Sequence, residues 1–128
     1  MEKVVRQICL DSDVLIELVH RNEKIIEFVQ QTEAIWYTTT INIFEIWSER
    51  DKKQQNVENL IKGLRKHVFD EACALKAGEI RRRLKEKGEL LDIRDIFIGA
   101  VCIENCLELL TLNKKHFERL QEFGLQLI

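Results

Sequence analysis

The sequence predicts an α/β domain, a three-layer α/β/α sandwich around a mainly parallel sheet of roughly five strands. Three observations predict it. Short apolar runs rich in β-formers alternate with stretches of helical periodicity, the pattern of strand–helix–strand crossovers. From Ile96 to Cys106 the only charged residue is Glu104, so that helix is apolar nearly all round and must be buried. The chain has 128 residues, 45% hydrophobic and 33% charged, which is enough for one globular domain with its own core.

The elements follow in order. Residues 4–10 read as a short, largely apolar strand. A helix starts at Ser12, with Leu15, Leu18 and Val19 apolar, and ends near His20-Arg21-Asn22. A second helix carries Ile25, Ile26, Phe28 and Val29. Residues 35–40 are aromatic and β-branched and read as the second strand. Residues 41–50 are helical through Ile43, Phe44, Ile46 and Trp47, and residues 54–65 through Val57, Leu60, Ile61 and Leu64. A weak strand is expected at 67–69. A long helix over 70–87 places Ala72, Leu75, Ala77, Ile80 and Leu84 inside and Arg81, Arg82, Arg83 and Lys85 outside, and Gly88 stops it. The buried helix spans 92–106. Residues 107–112 form a strand, 114–123 a short helix, and 125–128 a last strand. Proline is absent, so glycine and polar clusters are the only punctuation. No repeat or linker divides the chain, which reads as a single domain over 1–128.

Charge and cysteine usage narrow the chemistry. Lys plus Arg is 20 and Asp plus Glu is 22, a formal charge of −2. Bulk positive charge therefore does not drive nucleic-acid binding, although a local basic patch is compatible with that balance. No apolar run is long enough for a bilayer, and residues 1–7 lack the apolar stretch and cleavage site of a leader, so a cytoplasmic protein is expected. Cys9, Cys73, Cys102 and Cys106 form no C-x-x-C pair, and His20, His67 and His116 are scattered. A structural zinc site is disfavoured, and four buried free thiols are expected. No histidine has the context of a nucleophilic triad.

Ligands of open parallel sheets bind at the carboxyl ends of the strands. That rule selects Asp11 after the first strand, Thr111 and Asn113 after the fourth, Asp95 at the start of the buried helix, and Glu45 on the helix after the second strand. Each has a plainer reading. Asp11 suits a helix cap. Glu45 lies on a stripe with Asn42 and Glu49 that a solvated face explains equally well. Asp92 and Asp95 resemble a capping box, Thr111 and Asn113 suit a turn, and Arg81-Arg82-Arg83 suits a solvated face. The set weighs more than its members. Carboxylates gathered in one crevice repel, and burial penalises their charge further. A divalent cation resolves that conflict, and oxygen-only donors favour Mg²⁺ or Mn²⁺. Such a site suits hydrolysis of a phosphodiester.

Four segments carry a resemblance. Cys9-Leu10-Asp11-Ser12-Asp13-Val14-Leu15-Ile16 resembles the opening of PIN-domain proteins, a strand ending in Asp followed by Ser or Thr. Thr40-Ile41-Asn42-Ile43-Phe44-Glu45-Ile46 is similar to their second motif, with its single Glu. Asp95-Ile96-Phe97-Ile98-Gly99-Ala100-Val101-Cys102 resembles the third, an Asp opening an apolar helix with small residues. Leu109-Leu110-Thr111-Leu112-Asn113-Lys114-Lys115-His116-Phe117 is similar to the fourth. The four stand in family order across nearly the whole chain, and the length most resembles the VapC-type toxins.

That resemblance implies an endoribonuclease needing Mg²⁺ or Mn²⁺, a homodimer, and neutralisation by a cognate antitoxin. By position, Asp11, Glu45 and Asp95 would be the catalytic and metal-binding acids. Asn113 stands where some members carry a fourth Asp and would orient a water or the substrate, with Asp92 the candidate for the missing carboxylate. Thr111 would support the site, and Ser12 would hold Asp11 or a phosphate. His116 stands where the family is often acidic and reads as peripheral. RNA contacts are assigned to Arg81, Arg82, Arg83 and Lys85, with Lys87. Two other functions compete: a receiver-like phosphoacceptor using Asp70, and a PIN-like interaction module without catalysis.

Overall fold

A computed structural model describes residues 5–49 and 55–128. The expected element ends at Val4, Arg50 and Gln54 lie outside these residues. Strand β1 (Arg6–Leu10) leads into α1 (Ser12–Val19) and α2 (Glu23–Gln31). Strand β2 (Ala34–Thr39) is followed by α3 (Thr40–Ser48) and α4 (Gln55–Lys62). Strand β3 (Arg65–His67) precedes α5 (Glu71–Glu86) and α6 (Ile93–Glu104). Strand β4 (Glu108–Leu110), α7 (Lys114–Phe117), a 3₁₀ helix (Glu118–Phe123) and β5 (Gln126–Leu127) complete the described chain.

The five strands pair in the order β3-β2-β1-β4-β5, and every pairing is parallel. Alternation along β1 shows why it sits in the middle. Ile8 and Leu10 face a core shared with Val14, Leu15, Ile25, Ile46, Val57 and Ile61. Cys9 faces a second core with Ala77, Ile80, Leu84, Ile98, Cys102 and Leu109. The covered part of the strand, Ile8–Leu10, is therefore wholly apolar, whereas Arg6 and Gln7 at its start are exposed. The chain runs outward through β2 and β3 on one side of β1 and returns to β4 and β5 on the other. This reversal opens a crevice at the carboxyl ends of β1 and β4.

Several boundaries differ from the sequence expectation. The third strand is Arg65–His67 rather than 67–69, because Val68–Asp70 is spent on reaching and capping α5. Leu75 and Ala72 are exposed, and Cys73 is buried instead. Cys73, Ala77, Ile80 and Leu84 recur at helical spacing, and Leu75 points away from that stripe. Cys106 is also exposed, at φ 55° just beyond α6, so three thiols rather than four are buried. Gly88 ends α5 as expected. It adopts φ 71°, its N–H bonds the Lys85 carbonyl, and the Glu89 N–H reaches the Leu84 carbonyl.

Two helical glycines have opposite surroundings. A Cβ on Gly99 would lie 2.5 Å from Leu120 Cδ1, whereas one on Gly78 meets nothing within 4 Å. Leu120 is itself fully buried. Chemical denaturation should show Gly99→Val destabilised by about 1–3 kcal/mol through overpacking. Gly78→Ala should gain roughly 0.4–1 kcal/mol from helix propensity and lost unfolded-state freedom. Equal effects of one sign would refute the packing argument.

Candidate active site

Asp11 follows β1 and is held on every side. Its N–H donates to the Leu110 carbonyl, so the β1–β4 ladder continues to this residue. Its Oδ1 accepts from the Ser12 N–H at 2.9 Å and from Asn42 Nδ2 at 2.9 Å, and its Oδ2 accepts from Thr111 Oγ1 at 2.7 Å. Only 7% of Asp11 is exposed. It does cap α1, and it also stands at the bottom of a cleft, so the two readings of this residue coexist.

Asn42 is the residue that sequence reasoning misplaced. Set beside Glu45 and Glu49, it reads as part of a solvated stripe, yet it is fully buried. Its Nδ2 donates to Asp11 and to Ser12 Oγ at 3.0 Å. Its Oδ1 accepts from Thr39 Oγ1 and the Thr39 N–H, and its own N–H returns to Thr39 Oγ1. The readable signal was Thr39-x-x-Asn42 at a strand-to-helix junction, a capping box in which the box residue can also serve a neighbour.

The other acids arrive from separate elements. Ser12 Oγ donates to Glu45 Oε1 at 2.9 Å, tying α1 to α3. Glu45 Oε2 lies 3.8 Å from the Arg94 guanidinium, and Asp95 Oδ2 lies 3.6 Å from His116 Nδ1. Asp11, Ser12, Asp13, Glu45, Asp92, Arg94, Asp95, Asn113 and His116 all line one cleft of about 330 Å³. Thr111 supports it from beneath, accepting from the Asn113 N–H at 3.1 Å while donating to Asp11.

Burial and mutual repulsion mark these groups. Asp13 is pushed up to about 6 by desolvation and by the Asp11 charge, although the Leu112 and Val14 amides pull the other way. Asp95 is also raised to about 6, chiefly by desolvation and then by Asp92, with His116 opposing. Glu45 is raised by desolvation, partly offset by Ser12. Asp92 behaves differently. It caps α6 at the Arg94 N–H and grips the Arg94 side chain at 3.1 and 3.2 Å, which holds its pKa below the usual range. Its charge is answered by a guanidinium, so it is a poor source for a missing carboxylate. His116 stands beside Asp95 rather than at the periphery.

The basic residues of α5 lie elsewhere. Arg81, Arg82, Arg83 and Lys85 are exposed and line no part of the acidic cleft. Arg83 pairs with Glu79, and Lys87 with Glu122 at 2.7 Å. Asp70 caps α5 at the Cys73 N–H, beyond the edge strand β3, and does not line the cleft. The receiver reading loses its phosphoacceptor with that placement.

The donor set fits a hard divalent cation. Carboxylates with no Cys ligand surround the cleft, and Asp13 Oδ1 is buried without a hydrogen-bond partner of acceptable geometry. Among the described residues no three His, Cys, Asp or Glu side chains stand in a ready-made ion cage. Mg²⁺ needs none, because it keeps several of its waters and takes few direct protein ligands. Asp11, Glu45 and Asp95 would hold it, directly or through those waters.

The sign of the pH effect follows from Asp95. Its folded pKa of about 6 lies above its ordinary value of 3.8, so its contribution to stability is present at low pH and lost as pH rises through 6. In EDTA, urea denaturation should find Asp95→Asn more stable than the wild type at pH 7.5 by on the order of 1 kcal/mol, after solvent screening is allowed for. The advantage should shrink towards pH 5. A pH-independent difference would contradict the assignment.

Comparison with known proteins agrees with this architecture. The PIN domain matches residues 8–122 of the chain. Ribonuclease VapC1 of Methanocaldococcus jannaschii is 37% identical across 99% of this chain and 90% of its own length. Among solved structures, the DNA-bound VapBC of Salmonella typhimurium superposes with a TM-score of 0.80 at 25% identity, covering 98% of each chain. VapBC2 of Rickettsia felis, bound to a promoter DNA fragment, gives 0.79 at 21% identity, covering 95% of this chain and 97% of that one, a likeness of fold. With its parallel sheet, its acidic cleft and its matched span all in agreement, the chain belongs to the PIN-domain family.

Proposed function

We propose that this chain is a divalent-metal-dependent endoribonuclease, the toxin of a toxin–antitoxin pair, folded as one domain over residues 1–128. The observation that carries the reading is the convergence of Asp11, Glu45 and Asp95, from three different elements, on one cleft at the sheet's topological switch point. The 37% identity to a protein named as a ribonuclease supports the substrate. Similarity to VapBC assemblies supports an antitoxin partner. A homodimer and a cytoplasmic location complete the proposal. No helix among the described residues is long and apolar enough to cross a membrane.

Each side chain has a part to play in hydrolysis. Asp11 is immobilised by three donors, which fixes the bottom of the site before substrate arrives. A bound Mg²⁺ or Mn²⁺ supplies a water of lowered pKa and offsets phosphate charge. Glu45 faces the cleft with its pKa raised by desolvation, which suits it to accepting a proton from an attacking water. Arg94, at the rim, offers N–H donors to phosphate oxygens. Ser12 holds Glu45 in place. Exposed Arg81, Arg82, Arg83, Lys85 and Lys87 would guide the RNA strand towards the cleft.

Purified protein should cleave RNA with Mg²⁺ or Mn²⁺, stop in EDTA, and recover when metal is restored. Asp11→Asn or Glu45→Gln should lower the rate by at least about 10²-fold, the scale of a lost acid–base or electrostatic contribution. Cleavage that survives both would refute the reading. A folded chain that binds Mn²⁺ yet cleaves no RNA would favour an interaction module instead. RNA affinity should fall steeply with salt, and replacing Arg81, Arg82, Arg83 and Lys85 by Gln should flatten the log–log slope by roughly one for each phosphate no longer neutralised. An unchanged slope removes that cluster from the RNA path.

A further inference from the structure

A further carboxylate of the cleft, Asp13, has no part in the set just described. Asp13 sits on the first turn of α1, two residues past Asp11. Its Oδ2 accepts from the Leu112 N–H at 3.2 Å and from Asn113 Nδ2 at 3.1 Å, bridging α1 to the loop after β4. Its Oδ1 is buried and unpartnered.

Asn113 is oriented by this hydrogen bond. An amide whose nitrogen is committed to a carboxylate turns its carbonyl oxygen away from that carboxylate. Asn113 is exposed and lines the cleft, and its Oδ1 accepts no hydrogen bond among the described residues. Its backbone N–H donates to Thr111 Oγ1, which in turn donates to Asp11 Oδ2. Asn113 is thus joined to Asp11 through Thr111 and to Asp13 directly.

We propose that Asp13 and Asn113 work as a unit towards a divalent cation, Asp13 supplying negative charge to the cleft and Asn113 presenting an outward oxygen to the ion's water shell. The inference rests on the metal-dependent reading above. A charged oxygen buried without a partner is costly unless a cation nearby compensates it. Asp92, another acid of the cleft outside that set, is already neutralised by Arg94 at 3.1 Å. Among the described residues Asp13 has no cation of its own, only neutral amides. Both members of the pair are positioning residues, since neither needs to touch the reacting phosphate.

The test is Mn²⁺ titration calorimetry on the EDTA-stripped full chain, with thermal melts in EDTA as the folding control. Asp13→Asn keeps the shape of the side chain and should weaken Mn²⁺ binding roughly tenfold, the scale of an outer-shell interaction, without lowering the metal-free Tm. Asp92→Asn should leave Mn²⁺ affinity near wild type. The exchanged pair, Asp13→Asn with Asn113→Asp, keeps a carboxylate–amide hydrogen bond with the roles reversed and should recover most of the missing affinity. Asn113→Ala, at an exposed position with no side-chain capping bond, is safe for folding and should weaken binding on its own.

Wild-type affinity in Asp13→Asn or in Asn113→Ala overturns the proposal. So does failure of the exchanged pair to recover affinity, or an equal weakening in Asp92→Asn. RNA cleavage measured alongside separates the two readings. Mn²⁺ binding with the expected pattern but no cleavage removes the nuclease and leaves the pair. Metal-dependent cleavage with unchanged Asp13→Asn affinity removes the pair and leaves the nuclease. A wild type that binds no Mn²⁺ removes both.

Discussion

Repulsion among Asp11, Asp13, Glu45 and Asp95 governs how this site is built. The four acids line one cleft, and burial weakens the screening between them. The protein answers with neutral donors rather than lysines. Asn42, Thr111 and the Ser12 N–H hold Asp11, and Ser12 Oγ holds Glu45. Hydrogen bonds of this kind steady a carboxylate without cancelling its charge, which leaves that charge available to a cation. The cationic side chains at the cleft, Arg94 and (when protonated) His116, stand at 3.8 and 3.6 Å from Glu45 and Asp95 rather than deep beside Asp11.

The fold delivers these groups with little loop. β1 runs straight into Asp11, β2 into the Thr39–Asn42 box, and β4 into Thr111. Because β1 lies between β2 and β4 in a parallel sheet, all three carboxyl ends open on the same side. The Thr38 hydroxyl, fully buried, bonds the Leu10 carbonyl and locks β2 to β1 just before the site begins. Asp95 arrives on α6, whose burial against α5 and the sheet holds its first turn in place. Rigid strand ends and a buried helix give the pre-organisation that electrostatic sites need.

Much of this was legible in the residues. Asp11 and Asp95 stand out as acids at the edge of apolar segments and Glu45 as the single acid within one, and the motif order tied them together. Asn42 was not legible, since a polar residue three before a glutamate on a helix looks solvated until the neighbouring strand covers it. Asp13 was not singled out, since nothing local distinguishes it from any acid in the first turn of a helix. Asp92 was legible in one of its two roles. Its spacing to Asp95 suggested a cap, and it does cap α6 at the rim of the cleft; the role of a fourth carboxylate came from the resemblance, and Arg94, two residues on, already answers its charge.

The sequence by itself determined the alternation of strands and helices, the burial of α6, and which acids fall at the carboxyl ends of strands. Those follow from periodicity and from where apolar runs stop, and both are local properties of the chain. Only the tertiary structure decided which acids meet. Asp13 and Asn113 are 100 residues apart, as are Asp11 and Thr111, and nothing local relates them. The pairing of β1 with β4 brings them within hydrogen-bonding reach, and that pairing is settled by two cores packing on opposite faces of one strand.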